Sequence, residues 1–331
     1  MTARDRNYAA NDLMVQTRDL AKSFTSRHLR QPLCAVDALS IEVQRGETFG
    51  LIGADGAGKT TTLRLLNGLL RPDGGSAQVA GFDTVRDFRE IHGRAGYMPQ
   101  QFALYRDLTV AENLEFFAEL HGLTVAQKTG RIPRLLGFAR LESFGGRLAA
   151  HLSGGMKKKL ALACMLVHEP EVVFLDEPTL GVDPVSRREF WSLLADLRVE
   201  KGLTIVVCTP YMDEAERCHR VALMHQGRLI ACAPPESLKR NVPGELLELQ
   251  PSQVFAAQDL VANLDGVHEV QTYGSLLHVF VDRAEVRSAQ VRAALEAQGV
   301  IVSGLRVIEP RMEDAFVSLI RRQSGTPGAR P

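Results

Sequence analysis

The sequence predicts an α/β fold, with a large phosphate-loop domain followed by a small second α/β domain. Three observations carry this. "GETFGLIGADGAGKTTTLRLLNGLL" (46–70) runs from an apolar strand through glycines into an amphipathic helix. "EVVFLDEP" (171–178) and "LTIVVC" (203–208) are short, apolar, β-branched runs of the kind buried inside parallel sheets. Beyond "NVPGE" (241–245) a separate set of strand and helix patterns begins.

The 331 residues are 45% hydrophobic and 24% charged, enough to bury a core. Lys+Arg and Asp+Glu both number 39, so no global charge favours nucleic acid or an acidic membrane surface. The N-terminus lacks a signal-peptide pattern, and no run of about 18 apolar residues is present, so the chain is expected in the cytosol. Cys34, Cys164, Cys208, Cys218 and Cys232 have no metal or disulfide spacing and read as packing residues of a reducing compartment. Polar or apolar-poor ends mark residues 1–12 and 322–331 as disordered tails, with the main domain over 13–242 and the small one over 243–321.

Gly53, Gly58, Lys59 and Thr60 satisfy the phosphate-loop spacing G-x-x-x-x-G-K-[ST]. Glycine lets successive backbone N–H groups of Ala54, Asp55, Gly56 and Ala57 turn onto phosphate oxygens, and the following helix N-terminus, through Thr61, adds positive potential. Lys59 is placed to bridge the β and γ phosphates and Thr60 to ligate Mg²⁺. The next apolar strand ends in two carboxylates, Asp176 to hold Mg²⁺ and Glu177 to polarise an attacking water.

In "HLSGGMKKKLALACMLV" (151–167), Ser153 is an N-cap and Gly154 and Gly155 leave amides free, while Leu160, Ala163, Cys164 and Val167 form the apolar stripe. Lys157, Lys158 and Lys159 oppose the helix dipole. They read by default as a solvated face, unless an anion from elsewhere offsets the cost. "LTVAENLEFFAELHG" predicts a helix with Thr109 and Glu112 as a capping box and a core face of Leu114, Phe117, Ala118 and His121. Thr209 is expected to cap the helix over "MDEAERC", with Pro210 in its first turn.

These elements resemble the ATP-binding subunit of an ABC transporter, most closely the multidrug-type exporters with a separate permease chain. "GADGAGKT" is similar to the Walker A loop, "VVFLDE" to the Walker B strand and "LSGGM" to the family signature. The resemblance implies a phosphate-loop ABC ATPase core with a helical signature subdomain (about 82–160) and an antiparallel β subdomain, plus a small C-terminal α/β domain. It also implies roles that the residues alone do not reveal. Phe24, otherwise read as a core aromatic, would stack on adenine; Gln100 would sense Mg²⁺ and the γ-phosphate; Asp183 would cross a dimer interface besides capping the helix at Pro184. Ser153, Gly154 and Gly155 would meet the ATP of a facing subunit. The implied ligands are ATP and Mg²⁺. The implied partners are a second ATP-binding subunit and a transmembrane permease that docks near Tyr105 and Arg106 and holds the chain on the inner membrane face.

One departure bears on turnover. The family places a histidine that contacts the γ-phosphate where this chain has Pro210, and the neighbouring Tyr211 is a poor base at neutral pH. Ala54, where proline is common, and Lys158, where glutamine is common, are smaller departures. The resemblance therefore admits an active ATPase, or a mainly binding subunit paired with another. A soluble clamp on ribosomes or DNA and a regulatory ATP-binding protein are the rival functions.

Overall fold

The computed structural model describes residues 12–25, 32–101 and 104–323. The chain divides between Cys232 and Ala233 into two units. The main unit is built on a six-stranded sheet in the order Arg228–Ala233, Arg220–His225, Thr48–Ile52, Thr204–Thr209, Val172–Asp176, Ala95–Met98. From Arg220–His225 to Ala95–Met98 every pairing is parallel. The three middle strands are buried along their whole length, which is why their sequences are continuous apolar runs rather than alternating ones.

Register settles where the chemistry can sit. Ile52 pairs with Thr209, Cys208 with Asp176 and Leu175 with Met98, so four carboxyl ends finish at one sheet edge. They deliver the phosphate loop, Pro210, Glu177 and Gln100 side by side, where parallel sheets place ligands.

A second sheet in this unit has the order Leu33–Leu39, Leu13–Phe24, Gly74–Val79, Phe82–Asp83, with Glu42–Gln44 also on Leu13–Phe24. Its recorded pairings are antiparallel. Three helices, Val110–Leu120, Val125–Ala139 and Gly154–Met165, share a separate core that includes Leu114, Leu141, Leu152, Leu160 and Cys164. The Thr109/Glu112 capping box is present, and Thr124 with Gln127 forms another.

The second unit is a four-stranded antiparallel sheet in the order Val267–Tyr273, Leu276–Val281, Glu245–Pro251, Val302–Ile308. With helices Val254–Val261 and Ala284–Ala297 it forms the split βαββαβ arrangement. Leu247, Leu249, Val279 and Val281 pack under these two helices. The opposite sheet face, with Leu246 and Phe280, lies against Ala315 of the last helix, Met312–Gln323. The separate set of strand and helix patterns expected beyond "NVPGE" is present: a hairpin of Val267–Tyr273 and Leu276–Val281, then helix Ala284–Ala297, strand Val302–Ile308 and the last helix. The strand Glu245–Pro251 and helix Val254–Val261 are additions that the sequence reading did not contain.

Candidate functional site

Lys59 begins the helix Lys59–Leu66 and is 4% exposed. Its ammonium donates to the carbonyls of Gly53 (2.7 Å) and Ala54 (2.9 Å), so the loop curls around its own lysine. Gly58 is required twice over, by φ +102° and because a Cβ would stand 2.2 Å from the Ala35 carbonyl. That close approach sets the strand Leu33–Leu39 against the loop. Its Leu33 pairs with Phe24, which is 37% exposed rather than buried in the core. Lys22 donates to Asp73 at 2.7 Å, and the same carboxylate accepts the Ser23 N–H, fixing the backbone just before Phe24.

The Thr60 hydroxyl donates to the Asp176 carboxylate at 2.9 Å. Burial raises the pKa of Asp176, and the Thr60 hydrogen bond opposes that shift. A hydroxyl and a carboxylate oxygen in contact are the hard donors that Mg²⁺ takes, so Thr60 and Asp176 fit this ion. Gln100 donates to Glu177 at 2.9 Å. Burial also raises the pKa of Glu177, with Lys59 opposing. The structure thus brings Lys59, Thr60, Asp176, Glu177 and Gln100 together.

Ser153 and Asp183 lie elsewhere. The Ser153 hydroxyl accepts from the Met156 N–H at 3.3 Å, capping the helix Gly154–Met165. Asp183 caps the helix Pro184–Lys201 by accepting from Val185 (3.1 Å) and Ser186 (2.9 Å). Gly155 packs so closely that a Cβ would lie 2.4 Å from the Ser186 hydroxyl. Among the described residues, no recorded hydrogen bond joins Ser153, Gly154, Gly155 or Asp183 to the phosphate loop.

Three expectations fail locally. His121 is exposed rather than on the helix's core face. The lysines are not a solvated face: Lys159 is buried and paired with Glu189, and Lys158 donates to the Gln100 carbonyl at 3.2 Å. Burial lowers the pKa of Lys158 while Glu177 and Asp176 oppose that shift. An open cleft of about 490 Å³ runs from Gln100 to Gly154 and is lined by Arg106, Lys157 and Lys158. Nor does Thr209 cap a helix. It is the last residue of its strand, its hydroxyl accepts the Tyr211 N–H at 3.0 Å, and the helix spans only Met212–Ala215, after Pro210. A turn replaces the cap because Thr209 is held by its pairing with Ile52.

Among the cysteines, Cys164, Cys208 and Cys218 are buried, Cys232 is partly buried and Cys34 is exposed. No grouping of His, Cys, Asp and Glu among the described residues has a metal-site arrangement. His219 is committed to structure, its ring nitrogen accepting the Thr48 N–H at 3.1 Å. No helix among the described residues is long and apolar enough to cross a membrane.

The family described as ABC transporter matches residues 36–180. Nod factor export ATP-binding protein I of Paraburkholderia xenovorans is 39% identical over 292 residues, covering 87% of this chain and 92% of the relative. The chain belongs to the ABC transporter ATP-binding proteins. A second relative of this ABC family, a probable multidrug ABC transporter ATP-binding protein of Escherichia coli, is 41% identical over 94% of this chain. The chain spans about half (52%) of that relative's length. Among solved ABC cassettes, an ATP-binding subunit of an ABC transporter is 31% identical with a TM-score of 0.60, covering 69% of this chain and 92% of its own. A dimeric cassette bound to ADP and Pi is 25% identical with a TM-score of 0.61, over 67% of this chain and 98% of its own.

Residues that the sequence reading missed cluster around the same edge. Lys158 reads in the sequence as a dipole-opposing surface lysine and a small departure from the family, and no sequence pattern marks Thr179, Arg187, Trp191 or Glu214. Each acts through a partner distant in the chain, so no local pattern marks it.

Proposed function

We propose that this chain is the ATP-binding and ATP-hydrolysing subunit of an ABC exporter, driven by nucleotide-gated closure of two subunits. The observation that carries the reading is the Gln100–Glu177 hydrogen bond beside the Thr60–Asp176 pair at the mouth of the phosphate loop. In this reading Lys59 leaves the loop carbonyls for the β and γ phosphates, the loop amides from Ala54 to Thr61 cradle them, and Phe24 stacks on adenine. Thr60, Asp176 and Gln100 would hold Mg²⁺, which would neutralise charge on the phosphates. Glu177 accepts the proton of the attacking water, and its raised pKa leaves it a better base than an exposed glutamate. Ser153, Gly154, Gly155 and Asp183 serve the facing subunit's nucleotide.

The permease partner docks along the edge with Tyr105 and Arg106, which places the chain on the inner face of the cell membrane. The export name of one relative, the Nod factor export ATP-binding protein I, supports this direction of transport. Equal acidic and basic counts give no reason to add nucleic acid. Pro210 favours a second reading, an impaired subunit paired with an active one.

Lys59→Ala is expected to abolish high-affinity MgATP binding, because the bridging charge is lost. Unchanged nucleotide affinity in a binding titration would remove the site assignment. Co-purification with a membrane permease separates transport from a soluble clamp or regulator.

A further inference from the structure

Glu177 stands in the left-handed backbone region with φ 48°. A non-glycine residue holds that conformation only where its surroundings over-determine it. One constraint is direct, since the Glu177 N–H donates to the Cys208 carbonyl at 2.9 Å. The other begins at Glu214. This carboxylate is fully buried on the short helix after Pro210. Its Oε1 accepts both the Thr179 hydroxyl and the indole N–H of Trp191, the latter at 3.1 Å, while Oε2 has no partner among the described residues.

Those donors belong to different elements. Thr179, 1% exposed, lies two residues beyond Glu177, and its carbonyl accepts the Val182 N–H at 3.1 Å, closing the turn that delivers Asp183. Trp191 sits on the helix that Asp183 caps. Arg187 of that helix adds two further ties, with its guanidinium 4.8 Å from the Tyr211 ring centre and 3.5 Å from Asp213. A carboxylate with one unpartnered oxygen is a costly filler for a buried position. Its pairing with donors from two other elements gives it a reason to be there.

We propose that Glu214 is a positioning residue for ATP hydrolysis, holding the loop from Glu177 to Asp183 against the segment that carries Pro210. The catalytic consequence rests on the hydrolytic reading above; the holding of the loop does not. The full chain is compared with Glu214→Ala, Glu214→Gln and Thr179→Val, the last keeping shape while losing the hydroxyl. Amide exchange in peptides spanning 177–183 is expected to rise about tenfold in Glu214→Ala and Thr179→Val. In steady-state hydrolysis, kcat is expected to fall about 30-fold in Glu214→Ala with KM within about threefold, because Lys59 and the loop still hold the phosphates. Glu214→Gln, which keeps a carbonyl acceptor, is expected to recover most of both.

Trp191 is the only tryptophan, so its emission reports loss of the contact in the same samples. Unchanged exchange and kcat in Glu214→Ala despite shifted emission would overturn the proposal. So would parent-like exchange in Thr179→Val, which decides the matter should alanine disrupt folding. A fall in kcat that Gln does not recover, matched by an equal rise in KM, would reduce Glu214 to packing. A parent without turnover removes the hydrolytic reading alone, and exchange still decides whether Glu214 holds the loop.

Discussion

At position 210 a proline follows the central strand Thr204–Thr209, whose neighbours are the strand feeding the phosphate loop and the strand ending in Asp176. Residue 210 therefore emerges between the phosphates' cradle and Glu177. Proline has neither a donor nor a base to offer there, while Lys59, Thr60 and the loop amides are untouched by it. Pro210→His is expected to raise steady-state turnover at saturating MgATP by about tenfold or more, with nucleotide affinity within about twofold. The turn should survive, because it is held by the Tyr211 N–H on the Thr209 hydroxyl. Parent turnover already at a few per second or more, with no gain from histidine, would show that the imidazole is dispensable here.

Among the elements, the last helix of the second unit covers a sheet face that carries polar groups. His278, 2% exposed, shares its ring with Asp314 at 2.6 Å and Glu248 at 3.6 Å. Burial alone would raise the pKa of Asp314, but its hydrogen bonds to His278 and to the Arg311 N–H hold it below the usual carboxylate value. A depressed carboxylate stabilises the fold above its unfolded pKa and loses that contribution as pH falls through its folded value. This helix should therefore loosen below about pH 4. His278→Ala, which strips a buried carboxylate of its partner, should cost about 2–4 kcal/mol at neutral pH. Amide exchange over Leu276–Val281 and Met312–Gln323 in the full chain would measure it, and parent-like protection would contradict it. This unit was only half legible in the sequence. Strand Glu245–Pro251 is buried at Leu246, Leu247, Glu248 and Leu249 between two covered faces, so it shows no alternation to read. The phosphate loop and the Asp176–Glu177 strand end were legible because their chemistry is written in consecutive residues. Lys158, Lys159 and Glu214 were not, because their partners lie 58, 30 and 35 residues away.

At the scale of the whole molecule, two groups of candidate site residues are not joined by any hydrogen bond among the described residues. The phosphate loop, Asp176, Glu177 and Gln100 converge on one sheet edge, while Ser153 and Asp183 cap other helices with no described hydrogen bond to that loop. In the proposed mechanism an ATP-driven clamp made of such chains closes only when one subunit supplies the helix mouth at Ser153 to the nucleotide of another. Glu177→Gln removes the base while keeping its shape, so bound ATP should persist and the closed pair should accumulate. The most direct measurement is the solution mass of Glu177→Gln with and without saturating MgATP. The account predicts the mass of a dimer with MgATP and of a single chain without it. A single-chain mass with nucleotide demonstrably bound would contradict it.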